Sequence, residues 1–213
     1  METTEKREVG LFNSVDLRGV GNLVLSVGEP QSVEVTTAED LQPRVRTEVR
    51  DRVLVISLRW WLGSVFRILE LQNLEVRVTL KELRGVRLSG AGTVRGTGVL
   101  PVKELDLRLS GAGRLELELQ GGEVVTRLSG AGRVELAGAV ERQEIHLTGA
   151  GAVAAERLEA RKVWVNASGA GECRVCAAEE LKAEVSGAGS VRYRGSPRVE
   201  SRVTGVGRVE PLD

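Results

Sequence analysis

Catalysis and metal binding need nucleophiles, acids, bases or ligands at a defined spacing, and this sequence offers few of them. Cys173-Arg174-Val175-Cys176 has the spacing of a redox dithiol. Such a pair works when a helix N-terminus lowers one thiol pKa, yet the residues around it alternate apolar and polar as a strand does. Three positions along a strand put the two thiols on opposite faces, so no disulfide between them is expected. A zinc site wants four ligands, more than two cysteines and the single histidine, His146, can supply. Cys173 reads as a buried thiol. His146 stands at an outward position with no nucleophile or aspartate set around it, so a catalytic role is not expected.

Carboxylates are plentiful but scattered. The five aspartates, Asp16, Asp40, Asp51, Asp106 and Asp213, form no cluster of the kind polysaccharide-cleaving solenoids use. Glu116 and Glu135 occupy equivalent slots in successive repeats, and a paired-carboxylate glycosidase can be imagined from them. Arg114 and Arg133 two residues away make a surface charge lattice the favoured reading. The recurrent Gly-Ala-Gly is no phosphate loop, because neither Gly-Lys-Ser/Thr nor a helix follows any copy. No cofactor, metal or catalytic residue is assigned.

Two non-catalytic clusters remain. Trp60, Trp61 and Phe66 hold three of the six aromatic residues. They either cap an open end of the fold or form a patch for a carbohydrate, lipid headgroup or protein; the cap is preferred. Arg87, Arg108 and Arg127 recur at one repeat position and are followed there by His146, Asn166, Glu184 and Arg202. Stacked at roughly 5 Å they would repel one another, and together they could hold an anionic polymer such as an acidic polysaccharide. The plainer expectation is a solvated face balanced by neighbours, Asp106 beside Arg108 and Glu144 beside His146.

The elements that position these residues follow from one tetrapeptide. Ser89-Gly90-Ala91-Gly92 recurs at Ser110, Ser129, Thr148, Ser168 and Ser186, with a worn copy at Thr204-Gly205-Val206-Gly207; the steps are 21, 19, 19, 20, 18 and 18 residues. A repeat of about 20 residues with small drift marks a solenoid. Both flanks alternate with period two, as in Val86-Arg87-Leu88 and Arg114-Leu115-Glu116-Leu117, so each repeat reads strand, corner, strand. Two inward columns follow: Leu88, Leu109, Leu128, Leu147, Ala167, Val185 and Val203, then Val94, Leu115, Val134, Val153, Cys173, Val191 and Val209. At the corner the glycines leave room for the bend, the alanine is expected to point inward, and the Ser/Thr hydroxyls to bridge neighbouring levels.

Composition bounds the rest. The 213 residues suit one domain, and 30 basic against 30 acidic residues leave no net field to attract nucleic acid or an acidic membrane. No apolar run is long enough to span a bilayer. The start, Met1 to Glu8, is charged and lacks the apolar stretch of a signal peptide. A cytoplasmic protein is expected if the chain is complete, and an exported one if a leader was removed.

In chain order, residues 1–8 read as a disordered polar lead, residues 9–80 as an irregular β-rich part that starts and caps the stack, and residues 81–213 as coils with Ser-Gly-Ala-Gly corners, all one continuous domain. Gly19-Val20-Gly21 is a looser relative of the corner, and Ala38 to Pro43 could form one helical turn. Phe12-Asn13-Ser14-Val15, Arg18 to Leu25, Ser32-Val33-Glu34-Val35, Leu54-Val55-Ile56 and the serial corners resemble the bacterial "putative auto-transporter adhesin, head GIN domain" family, from about Val9 to the C-terminus. The resemblance implies a right-handed, single-stranded parallel β-helix, a cell-envelope or extracellular location and no known catalysis. The expected function is a non-catalytic, adhesin-like scaffold for an unknown protein or polysaccharide ligand. The alternatives are a self-assembling dimer or filament in the manner of bactofilins, joined through an open end of the stack, and, disfavoured, a polysaccharide-cleaving enzyme.

Overall fold

Period-two alternation over most of the chain buries one side of each strand, and stacking strands of one kind is how such a chain covers its apolar faces. The computed structural model describes residues 2–58 and 74–212, and there the chain forms a parallel β-solenoid. Its regular part is a run of coils, each one long bent strand: β9 (Thr93–Gly111), β10 (Arg114–Gly130), β11 (Arg133–Gly149), β12 (Ala152–Gly169) and β13 (Glu172–Gly187). Each pairs in parallel with the next. The next level is split into β14 (Ser190–Arg194) and β15 (Arg198–Gly205), which both stack on β13, and β16 (Arg208–Pro211) begins a further level on β14.

The corners work by a division of labour between the two glycines. The first of each corner takes a positive φ, +109° at Gly111, where an added Cβ would lie 2.6 Å from the Gly90 carbonyl oxygen one level below. That turn throws the next Cβ outward, so Ala91, Ala112, Ala131, Ala150, Ala170 and Ala188 are exposed rather than inward as the sequence suggested. The second glycine takes the inward place instead. At Gly113 a Cβ would meet Leu88 Cδ2 at 2.7 Å and the Gly92 carbonyl oxygen at 2.8 Å. Backbone bonds stitch the levels: Ala112 N–H donates to Gly90 O and Arg114 N–H to Gly92 O, both at 3.0 Å. The expected hydroxyl bridges are absent at all corners but one. Of the corner hydroxyls, Ser168 alone donates, to the Leu147 carbonyl at 3.5 Å, because the backbone already fills the space between levels.

Both inward columns stand in register throughout. Their members are buried up to Val191, and the first column ends exposed at Val203. Gln143 and Thr126 interrupt the apolar interior, fully buried and, among the described residues, without a hydrogen-bond partner for their side-chain polar atoms.

The first levels do not follow chain order. β2 (Ser14–Gly19) and β3 (Asn22–Val27) lie directly beneath β8 (Gly85–Gly90) and the start of β9, so Gly19-Val20-Gly21 is the corner under Ser89 to Gly92. Beneath them in turn lie β6 (Val53–Leu58) and β7 (Glu75–Leu80). The earlier segment is thus sandwiched between two later ones. Antiparallel strands extend this end: β5 (Val45–Arg50) on β6, and β4 (Ser32–Ala38) on β7. A 3-10 turn at Gln42–Arg44 joins β4 to β5.

Residues 2–6, expected as a frayed lead, form β1 (Glu2–Lys6), antiparallel to β4. The cause is polar rather than apolar. Gln42, 2% exposed, donates to the carbonyls of Thr3 (2.8 Å) and Val35 (2.9 Å) and accepts from Arg7 Nη2 at 2.8 Å. The hydroxyls of Thr4 and Thr36 pair across the strands at 2.8 Å. A strand of Glu-Thr-Thr-Glu-Lys carries no apolar alternation to reveal it.

Candidate functional site

Alternation turns every second side chain of the strand before each corner outward, and in-register stacking converts those positions into vertical columns. Asp16, Arg87, Arg108, Arg127, His146, Asn166, Glu184 and Arg202 form one such column. The three arginines named from the sequence are therefore adjacent. Beside them runs the column Arg18, Ser89, Ser110, Ser129 and Thr148. Between the two columns lies an open groove of about 500 Å³ that spans five levels, from Asp16 to His146.

Charges along the groove are partly cancelled. Arg18 donates twice to Asp16 Oδ2, at 2.8 and 2.9 Å, and Asp16 is 6% exposed. Asp106, in the next column, bridges both Arg108 and Arg127 at 2.7 Å. Its hydrogen bond holds the Arg108 guanidinium pKa above the ordinary arginine value. His146 Nε2 lies 2.6 Å from Glu144 Oε1. The neighbours expected to balance Arg108 and His146 are thus in contact with them. Arg87 is exposed and has no ion-pair partner among the described residues. Two aspartates face four arginines, so the groove remains cationic.

The other candidates resolve differently. Trp60, Trp61 and Phe66 lie outside the described residues; the flanking Leu58 and Leu74 sit at the corner position of the lowest parallel level. Cys173 is fully buried, and loss of solvation, with Glu172 nearby, pushes its thiol up to about 12. Cys176 faces the other way and is also raised, chiefly by burial. Both thiols are free. Neither has the lowered pKa of a reactive cysteine.

Glu116 and Glu135 do stack, but each is held in a charge lattice. Arg95 meets Glu116 at 3.0 Å, Arg114 meets both glutamates, and Arg133 meets Glu135 at 2.6 Å. The Arg133 hydrogen bond holds the Glu135 carboxyl below its usual range, the reverse of what a general acid needs. Among the described residues, no group of three or more His, Cys, Asp or Glu side chains is arranged to hold a metal ion, and no helix is long and apolar enough to cross a membrane.

One surface aromatic escaped sequence inspection. Trp164 projects from the outer face, between Glu144 below and Lys182 above. The Arg142 guanidinium carbon lies 5.0 Å from its ring centroid. Beside the ring is a second hollow of about 230 Å³, lined by Glu144, His146, Asn166, Lys182 and Glu184 among others. His146 also lines the arginine groove, so the two hollows meet there. The signal was available in Val163-Trp164-Val165, whose alternation turns the indole outward.

Comparison with known proteins follows the same lines. The family model described as "Putative auto-transporter adhesin, head GIN domain" matches residues 11–197. A crystal structure of a "putative adhesin" from Bacteroides fragilis NCTC 9343 superposes with a TM-score of 0.91 at 24% identity, covering 100% of this chain and 97% of that one. A "putative adhesin" and a "Putative lipid binding protein", both from Parabacteroides distasonis ATCC 8503, give TM-scores of 0.80 and 0.79 at 24% and 20% identity; each covers 100% of this chain and 97% of its own. At these identities the likeness establishes the fold. No curated protein matches the chain.

Proposed function

Because the chain belongs to the "putative auto-transporter adhesin, head GIN domain" family, we propose that it is a non-catalytic surface-interaction domain of the cell envelope or exterior, whose working face is the arginine groove. The ligand is an anionic polymer that lies along the stack axis. The supporting observation is the groove itself, about 500 Å³ in volume and spanning five levels, with Arg87 unpaired among the described residues and corner hydroxyls lining the opposite wall. Since Asp16 and Asp106 cancel part of the charge, the groove suits a polymer of sparse charge, such as a uronic-acid polysaccharide, better than a densely charged one.

The test is binding of polygalacturonate to the immobilised protein, wild type against the triple variant Arg87→Ala, Arg108→Ala, Arg127→Ala. Wild-type binding should weaken several-fold between 50 and 200 mM salt, roughly as screening shortens, and the triple variant should bind at least tenfold more weakly. Unchanged binding by the triple variant refutes the assignment.

A second reading, self-association, is favoured by one observation. β15 is exposed along its whole length, with Val199 38% and Val203 42% exposed. Its edge away from β13 has no partner among the described residues, and such an edge is a template for a second copy. Light scattering over a concentration series would show a rising mass; a constant monomer mass excludes it.

A further inference from the structure

The hollow beside Trp164 has a composition that the arginine groove lacks. A sugar ring offers an apolar C–H face and a rim of hydroxyls, so a protein binds it with an aromatic plate edged by hydrogen-bonding groups. Trp164 supplies the plate. Arg142, 5.0 Å from the ring centroid, occupies a place over one face and restrains the ring, which lowers the entropy lost on binding. Around the hollow stand the Glu144 and Glu184 carboxylates as acceptors and the Asn166 amide and Lys182 ammonium as donors. Asn166 Nδ2 reaches Glu184 Oε2 only at 3.5 Å, so both retain bonding capacity. The indole Nε1 is itself buried, without a hydrogen-bond partner among the described residues, so the ring offers the hollow its face and no donor.

We propose that this hollow is a subsite for a single pyranose ring, stacked on Trp164 and hydrogen-bonded by Asn166 and Glu184. Its volume, about 230 Å³, is below the range of about 300–1,000 Å³ usual for drug-sized ligands, which suits one ring rather than two. The two carboxylates at the rim oppose a phosphodiester, which argues for a sugar over a nucleobase on a nucleic-acid strand. Because His146 belongs to both hollows, one chain can place a ring on Trp164 and run its acidic neighbours down the arginines. The subsite rests on the groove reading only for that continuation.

Uronic-acid and neutral pyranose pentasaccharides, titrated by calorimetry into wild type, Trp164→Ala, Trp164→Phe and the triple arginine variant, separate the two ideas. Trp164→Ala should lose roughly tenfold in affinity for both sugar classes, the loss expected when an aromatic stacking contact of about 1.5 kcal/mol is removed. Trp164→Phe should recover part of it, and the salt dependence should stay as in wild type. The triple arginine variant should weaken only the acidic sugar; if it binds both sugars normally while Trp164→Ala fails, the groove assignment falls and the subsite stands. Wild-type affinity in Trp164→Ala, no binding of either sugar by wild type at millimolar concentration, or tighter binding of a single-stranded oligonucleotide than of any sugar would each overturn the subsite.

Discussion

Replacing Gly130 by alanine tests whether the corner glycines hold the levels at their spacing. Gly130 lies mid-stack with φ +108°, and its new Cβ would sit 2.7 Å from Gly111 O, 3.1 Å from Gly111 N and 3.3 Å from Gly111 Cα. All three are backbone atoms, so no rotamer change relieves the contact. Holding alanine at that φ costs about 1–3 kcal/mol, and overpacking against the level below costs about 1–3 kcal/mol more. Relief by separation of the levels would strain the Ala131 N–H bond to Gly111 O below and the Ala150 N–H bond to Gly130 O above, each 3.0 Å. The expected loss is therefore about 2–6 kcal/mol, or roughly 4–24 °C in Tm for a chain of this size. Ala131→Ser, at the exposed neighbour, should stay within about 0.5 kcal/mol of wild type. Urea unfolding followed by circular dichroism measures both. Equal stabilities for the two variants would refute the division of labour described for the corner.

Further outcomes follow from the interior. Gln143→Leu, between Val124 and Val163 in its column, removes a buried amide that has no partner and should stabilise by about 1–3 kcal/mol; a lower Tm than wild type would contradict this. Cys173 should make the fold alkali-sensitive. The unfolded thiol ionises near 9 and the folded one near 12, so between those values the unfolded state binds fewer protons and stability falls as pH rises, by about 1.4 kcal/mol per pH unit. Relative to Cys173→Val, wild type should therefore lose about 2 kcal/mol between pH 9 and pH 10.5, with no difference developing below pH 9; parallel pH profiles would reject it. In native protein at pH 8, thiol reagents should modify Cys176 slowly and Cys173 only after denaturant is added.

The solenoid could be read from the sequence because its signal is local and repeated: a tetrapeptide with alternating flanks gives strand, corner and both inward columns at once. The family resemblance carried by Phe12 to Val15 and the serial corners is met by the match over residues 11–197. What stayed hidden depends on non-local or chiral information. Alternation looks the same in parallel and antiparallel strands, so nothing in Ser32 to Arg50 disclosed that β4 and β5 run antiparallel to the stack. The outward alanine depends on which glycine takes the positive φ, and composition does not encode that sign. The arginine column was visible as spacing, whereas the groove beside it exists only once Arg18 and Asp16 are placed beneath Arg87 and Ser89. Trp164 was legible and overlooked, since a lone aromatic carries less weight than a cluster of three.

The sandwiching of residues 14–27 between later segments has a kinetic consequence. Ser14 bonds to neighbours at Val53 and Gly85, so neither edge of that coil finds its partner until distant chain has been made. Loops this long are slow to close, and the base must form as one cooperative block. From Thr93 onward each coil needs only the one just finished, and assembly proceeds as a zipper. The molecule thus has a built-in starting end, and damage there should delay the appearance of any native structure, whereas damage near the last coil should only shorten what forms.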